Sequence, residues 1–128
     1  MATDDIVIAW LIKAEHDLET AKIISINLPE YDDMIAFHCQ QSIEKALKAY
    51  LVFLDIEFKP VHDLGYLLNL ISTKDTLLDN YYDQTVRVSM FAVQIRYPDQ
   101  IIKLTQDQVR QALDLADLIF NLIKSQVK

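Results

Sequence analysis

The scarcity of glycine and proline limits this chain to helices joined by short connections. Its 128 residues include one glycine, Gly65, and three prolines, Pro29, Pro60 and Pro98. Sheets and long loops depend on these residue types for turns, because glycine adopts positive φ at no steric cost and proline fixes φ. The composition therefore predicts an all-α protein, in a single domain because domains usually contain about 100–150 residues.

Apolar periodicity and helix-ending signals predict five helices, over about residues 4–27, 32–54, 62–72, 75–95 and 105–126. The first and fourth end before Pro29 and Pro98, because the residue preceding proline is pushed out of the α region. The last begins at a capping box in which Thr105 is the N-cap and Gln108 the third helical residue. The expected architecture is an up-and-down bundle of four long antiparallel helices plus one short helix, spanning residues 1–128.

Charge and cysteine content exclude several classes of function. The net charge of −7 and pI near 4.7 give a field that repels nucleic acid, so an RNA contact needs a local cluster or a partner chain. Cys39 is the only cysteine, which excludes an intramolecular disulfide and a cysteine-based metal cage. The acidic N-terminus is unlike a signal peptide, and no window approaches the ~20 apolar residues of a membrane span. We expect a cytoplasmic protein without a metal, a cofactor or a membrane partner.

The second helix carries the first candidate site. On a different face from its apolar residues, Gln41, Glu44, Lys45 and Lys48 line up, with Gln41–Lys45 and Glu44–Lys48 at i,i+4. Two lysines and an amide can hold a phosphate or the carboxylates of a partner. The alternative is a solvated surface stripe supported by its own i,i+4 pairs. Periodicity alone favours the stripe, because such charge runs are common on exposed helix faces.

Histidines next to acidic residues form the second candidate. Histidine titrates near neutral pH, but His62 and Asp63 are sequence neighbours, which do not face each other on a helix. The simpler interpretation places Val61 or His62 in the N-cap region of the third helix and Asp63 in its first turn. His38 lies one turn before Gln41 and is predicted on the same side, whereas His16 is expected to be solvated.

The turn Arg96-Tyr97-Pro98-Asp99 is the third candidate. Arg96 can bind the last carbonyls of the fourth helix. Alternatively, the proline-stiffened turn presents its guanidinium for bidentate recognition of a phosphate or carboxylate, with Tyr97 and Asp99 beside it. The sequence leaves both interpretations open.

Together these segments resemble the HEPN domain family. The matching features, in order along nearly the whole chain, are Trp10 with residues 13–18, residues 37–49, His62-Asp63-Leu64 and Arg96-Tyr97-Pro98-Asp99. The resemblance implies a helical bundle that usually forms homodimers. It also implies that a small stand-alone member is often paired with a minimal nucleotidyltransferase, in a toxin–antitoxin-like module. Many members of the wider family are metal-independent ribonucleases that use an Arg and a His with four to six residues between them.

This chain departs from the ribonuclease pattern. The positions after Arg96 at which the His would fall hold Ile101, Ile102 and Lys103, and no histidine follows His62. A general acid/base usually contributes about 10²–10⁴-fold to the rate, so the usual ribonuclease route is not expected. Arg96 is the only catalytic candidate that remains.

The sequence therefore predicts a binding or regulatory protein: a homodimer that acts with a minimal nucleotidyltransferase, binds nucleotides, or both. Its predicted polar contacts are His38, Gln41, Glu44, Lys45, Lys48, His62, Asp63, Arg96, Tyr97 and Asp99. One alternative is a ribonuclease in which Arg96 stabilises phosphate charge and His38 or His62 replaces the missing base. Another is a helical scaffold without a small-molecule site, in which replacing Lys45 and Lys48 by Gln changes stability by under about 0.5 kcal/mol.

Overall fold

The computed structural model describes residues 2–94 and 103–127, with side chains for 3–92 and 103–127, and the described residues contain helices and no strand. The helices are α1 (Ala2–Asn27), α2 (Asp32–Phe53), α3 (Leu64–Ser72), α4 (Tyr82–Gln94) and α5 (Gln106–Gln126), and a 3₁₀ turn, Asp79–Tyr81, precedes α4. The predicted all-α bundle is confirmed. None of the described helices contains an apolar stretch long enough to cross a bilayer.

Helix α2 is the centre of the bundle and packs against α1, α3, α4 and α5. Thirteen of its 22 residues are buried, among them both apolar and polar side chains. Helices α1 and α2 form an antiparallel hairpin, because Trp10 lies beside Lys48, Ala14 beside Ser42 and Asp17 beside His38. The turn between them includes Pro29, where α1 was predicted to end.

Helix α5 closes the other side of the core. Its buried residues recur every three or four positions, as an amphipathic helix requires: Ala112, Leu115, Ala116, Ile119, Phe120 and Ile123. The predicted capping box is present at its start, where the Thr105 hydroxyl accepts from the Gln108 backbone N–H at 3.1 Å. The Gln108 side chain accepts from the Thr105 N–H at 3.0 Å.

The fourth helix is shorter than predicted and begins at Tyr82 rather than near Asp75. The Asp75 carboxylate accepts the hydroxyl of Tyr50 and, at 2.8 Å, the backbone N–H of Leu77 two residues on. A side chain bonded to its own backbone in this way stabilises a turn in place of a helix start. The segment from Asp75 to the 3₁₀ turn therefore anchors the chain to α2 instead of extending α4.

Candidate functional site

Two clusters of charged side chains lie along the α1–α2 interface, inside packing that is otherwise apolar. Between them, the hydroxyl of Ser42 donates to the carbonyl of Ala14 at 2.9 Å in a buried site. Ala14 itself and Ala46, one turn after Ser42 on α2, have 0% exposure. The carboxylates on either side of this contact, those of Asp17 and Glu44, are largely shielded from water by protein.

The first of these, the Glu44 cluster, contains Glu44, Lys48, His62 and Trp10. The Lys48 ammonium lies 3.0 Å from Glu44 Oε2, and His62 Nδ1 lies 3.0 Å from both carboxylate oxygens. The side chains of Glu44 and Lys48 are only 3% and 7% exposed, whereas that of His62 is 78% exposed. The Lys48 ammonium also lies 5.4 Å from the centroid of the Trp10 ring, a cation–π distance.

The second, the Asp17 cluster, contains Asp17, Lys45 and His38. Asp17 Oδ2 is 2.5 Å from Lys45 Nζ, and Oδ1 is 2.9 Å from His38 Nδ1. The side chains are 13%, 25% and 20% exposed for Asp17, Lys45 and His38, so the carboxylate and the lysine of this cluster are more exposed than those of the first. Each carboxylate on this interface is thus bound by one lysine and one histidine.

The structure contradicts the interpretation of Gln41, Glu44, Lys45 and Lys48 as a solvated stripe. Glu44 and Lys48 are buried, and only their i,i+4 contact forms, since the side chain of Gln41 makes no hydrogen bond within the described chain. The side of α2 that carries them faces α1, which periodicity could not show. The scaffold alternative requires these lysines to be hydrated, and the structure shows that this is wrong for Lys48, which is buried.

The predicted site residues other than Gln41 separate into four groups. His38 and Lys45 meet at Asp17, and Glu44, Lys48 and His62 meet at the carboxylate of Glu44. Asp63 is the N-cap of α3 rather than a first-turn residue, because its Oδ1 accepts from the Tyr66 N–H at 3.1 Å. Arg96, Tyr97 and Asp99 lie outside the described residues.

Sequence reasoning missed Asp17 as a member of the site. The helical spacing of Ile6, Trp10, Ala14, Asp17 and Ala21 predicts one apolar stripe of α1 that includes Asp17. The structure turns Trp10, Ala14 and Asp17 of this stripe toward α2, whereas Ile6 is 49% exposed. A carboxylate at a buried position needs a cationic partner, because an unpaired buried charge is costly. That signal was present in the sequence and indicates which lysines of α2 must face α1.

Elsewhere in the described chain, pKa shifts mark structural groups. Burial raises the pKa of the Cys39 thiol to about 12, which keeps it protonated and unreactive at neutral pH. Burial and the neighbouring Asp75 raise the pKa of Tyr50. The Tyr50 hydroxyl and the Leu77 backbone N–H lower the pKa of Asp75. No three His, Cys, Asp or Glu residues of the described chain are grouped so as to hold a metal ion.

A cavity of about 500 Å³ lies between the α1–α2 turn and the start of α5. Its lining includes three acidic residues, Glu30, Asp32 and Asp114, and two basic residues, Lys103 and Arg110, together with apolar side chains. With both signs of charge in its lining, it does not select a cationic or an anionic ligand. None of the predicted site residues that the structure describes lines it.

Comparison with known proteins gives three results. A family model of the HEPN domain matches residues 7–126. The chain is 29% identical over 134 aligned residues to "Putative toxin MJ1304" of Methanocaldococcus jannaschii, and the alignment covers 93% of this chain and 86% of that protein. The crystal structure of ST0689, an archaeal HEPN homologue, matches with a TM-score of 0.68 at 24% identity, over 95% of this chain and 98% of the other. At that identity, the structural likeness concerns the fold.

Proposed function

The chain belongs to the HEPN domain family, and we propose that it is the binding or regulatory member of a toxin–antitoxin-like pair. In this proposal it is a cytoplasmic homodimer that acts with a minimal nucleotidyltransferase, binds nucleotides, or both. The relative named a toxin supports the proposal because the alignment covers most of both chains.

The observation that carries the proposal is the internal neutralisation of the two predicted phosphate-binding lysines. The Lys45 ammonium is bound by Asp17 and the Lys48 ammonium by Glu44. Proteins that bind RNA usually present unpaired Lys and Arg side chains, and the contacts of these side chains with phosphates release counterions from the RNA. With these lysines neutralised and a net charge of −7, a protein partner or a small nucleotide is favoured over an RNA strand.

Affinity purification from the native host tests this proposal. The tagged chain is captured and its companions are identified by mass spectrometry, while light scattering gives the mass of the purified protein. We expect a dimer and a minimal nucleotidyltransferase, or saturable binding of a nucleoside triphosphate in calorimetry. A monomer with neither a companion nor nucleotide binding would contradict the proposal.

A second candidate function, metal-independent RNA cleavage, is favoured by the geometry of His62 rather than His38. Glu44 holds one nitrogen of the exposed His62 ring, as a carboxylate orients the histidine of a general base. His38 is 20% exposed, which leaves a large substrate less access to its ring. In this candidate Arg96 stabilises the phosphate charge.

An RNA-cleavage assay in EDTA separates the two candidates. Wild type, Arg96→Ala and His62→Gln are compared, with His16→Gln as the matched control on an exposed histidine. The ribonuclease candidate predicts cleavage by wild type and by the control, and its loss in the other two variants. Absence of cleavage by wild type leaves the binding protein as the conclusion.

A further inference from the structure

The two nitrogens of His62 lie in different environments. Nδ1 is 3.0 Å from both oxygens of Glu44, a side chain that is 3% exposed. The His62 side chain itself is 78% exposed, so the ring covers the buried carboxylate and turns its other edge to solvent. No residue of the described chain forms a hydrogen bond with Nε2.

The carboxylate at Nδ1 determines which nitrogen of the neutral His62 ring is nucleophilic. Glu44 also binds the Lys48 ammonium and is therefore a carboxylate, which accepts hydrogen bonds and donates none. Nδ1 must then carry the proton that it donates to Glu44. A neutral imidazole has one protonated nitrogen, so the lone pair is on the exposed Nε2.

The other two histidines provide internal references. His16 is exposed, and its ring makes no hydrogen bond within the described chain, so no carboxylate selects its tautomer. His38 has a carboxylate at Nδ1, Asp17, but its side chain is only 20% exposed. Of the three, His62 alone combines a carboxylate at Nδ1 with an open Nε2.

We propose that Nε2 of His62 is a phosphoryl acceptor, modified by donors of the phosphoramidate or acyl-phosphate class, and that Glu44 is its positioning residue. The Nε2 lone pair attacks phosphorus as the bond to the leaving group breaks. With phosphoramidate, the electron pair of the P–N bond departs with ammonia. The Nδ1 proton stays on the ring, where the Glu44 carboxylate stabilises the positive charge that develops as the N–P bond forms.

Accepting a phosphoryl group requires fewer functional groups at this surface than cleaving RNA does. Cleavage of RNA requires cations for the phosphate backbone, and Lys45 and Lys48 are already neutralised. An acceptor requires one exposed nucleophile with the correct tautomer. The nearest acidic neighbour in sequence, Asp63, is engaged in capping the Tyr66 N–H. The inference is independent of the proposed function, since it involves neither a nucleotide nor a partner.

The test is site-resolved modification of the whole protein by potassium phosphoramidate at about pH 8, above the ordinary histidine pKa of about 6.5. Acid-labile adducts are located by tandem mass spectrometry at neutral pH, and NMR distinguishes Nε2 from Nδ1 adducts. We expect His62 to react about tenfold faster than His16, the lower end of the ~10–100-fold by which the outer-shell partner of a metal-ligating histidine changes affinity or activity. Equal rates at His62 and His16, or an adduct on Nδ1, would overturn the proposal.

A variant and a spectrum test the positioning by Glu44. In Glu44→Gln, the His62 rate should fall to that of His16 while the His16 rate stays unchanged, a site-selective loss that general destabilisation does not produce. An unchanged His62 rate would overturn the assignment to Glu44. If this variant does not fold, two-bond ¹⁵N–¹H spectra of the wild type decide. They should show His62 protonated at Nδ1, and protonation at Nε2 in the neutral ring would overturn the proposal.

Discussion

Two ion pairs of this protein have nearly the same length and opposite surroundings. Lys48 Nζ lies 3.0 Å from Glu44, and Lys22 Nζ lies 2.9 Å from Asp117, which joins α1 to α5. The first pair is 7% and 3% exposed, whereas the second is 42% and 47% exposed. Distance therefore does not distinguish the two pairs, but burial does.

The comparison shows why only one of the two constrains the fold. Water solvates the ions of an exposed pair almost as well when they separate, so such pairs contribute roughly 0–1 kcal/mol. Little water reaches a buried pair, so removing one ion leaves the other as a buried charge that neither a partner nor solvent stabilises. The Asp17 cluster, with side chains 13–25% exposed, lies between these limits and should give an intermediate effect.

The largest effect is expected for Glu44→Gln. This substitution keeps the side-chain shape but leaves the buried Lys48 ammonium without its counter-charge. The free energy of unfolding should fall by about 3 kcal/mol, at the lower end for a broken buried pair because the Trp10 ring remains beside the ammonium. Urea denaturation followed by circular dichroism measures the loss.

The double variant Glu44→Gln/Lys48→Met is the matched control. It removes both charges and places an unbranched apolar chain in the site of Lys48, so it should be more stable than Glu44→Gln alone. A double variant less stable than the single one would show that Lys48 stabilises the fold by something other than pairing with Glu44.

Asp17→Asn should give the second-largest effect, a loss of about 2 kcal/mol, which is typical of hydrogen bonds to a charged group. Asparagine retains the shape but not the charge that binds both Lys45 and His38. The measurement is the same denaturation, with Glu15→Gln on the exposed side of α1 as control. A loss larger than that of Glu44→Gln would contradict the ordering by burial.

Local rules predicted the helices well, because capping and proline effects depend on residues near one another in sequence. The start of α5 at Thr105 and the end of α1 before Pro29 are of this kind. The start of the fourth helix was wrong because Asp75 is held by Tyr50, 25 residues earlier. A contact between residues 25 positions apart cannot be predicted from the local sequence.

The candidate site could be predicted only as one side of a helix. Periodicity placed Glu44, Lys45 and Lys48 together on α2, but their burial depends on which side of α1 packs over them. The pairing of His62 with Glu44 requires α3 to begin beside α2, which is a tertiary relation. Asp17 was the one signal in the sequence that pointed to a buried polar interface.

A third prediction concerns a buried hydroxyl next to a carboxylate rather than an ion pair. The pKa of Asp75 is lowered mainly by the Tyr50 hydroxyl, so its contribution to stability is present above its ordinary pKa of 3.8 and is lost as pH falls through its lower folded-state pKa. Tyr50→Phe should reduce stability at neutral pH by about 1 kcal/mol and flatten the acid side of the stability–pH curve.

Tyr66→Phe is the control for that experiment, since the Tyr66 hydroxyl oxygen accepts a backbone N–H from Lys59 and binds no carboxylate of the described residues. Its acid-side slope should match that of the wild type. If Tyr50→Phe and wild type lose stability equally as pH falls, the Tyr50 hydroxyl is not what lowers the pKa of Asp75.

The smallest effect is expected for Lys22→Gln, a loss below about 0.5 kcal/mol at moderate salt. The hydrogen bond that Lys22 donates to Asp117 raises the pKa of Lys22, so the contribution of the pair is fully present below the ordinary lysine pKa of 10.5 and is lost as pH rises through the higher folded-state pKa. Added salt should reduce even this difference, because both ions face solvent. Denaturation at low and high salt measures this difference in stability. The control is Lys13→Gln, because Lys13 is exposed and makes no ion pair within the described chain. A salt-independent loss as large as that of Asp17→Asn would mean that the 2.9 Å contact between α1 and α5 stabilises the bundle despite its exposure, and burial would no longer be the property that separates the two pairs.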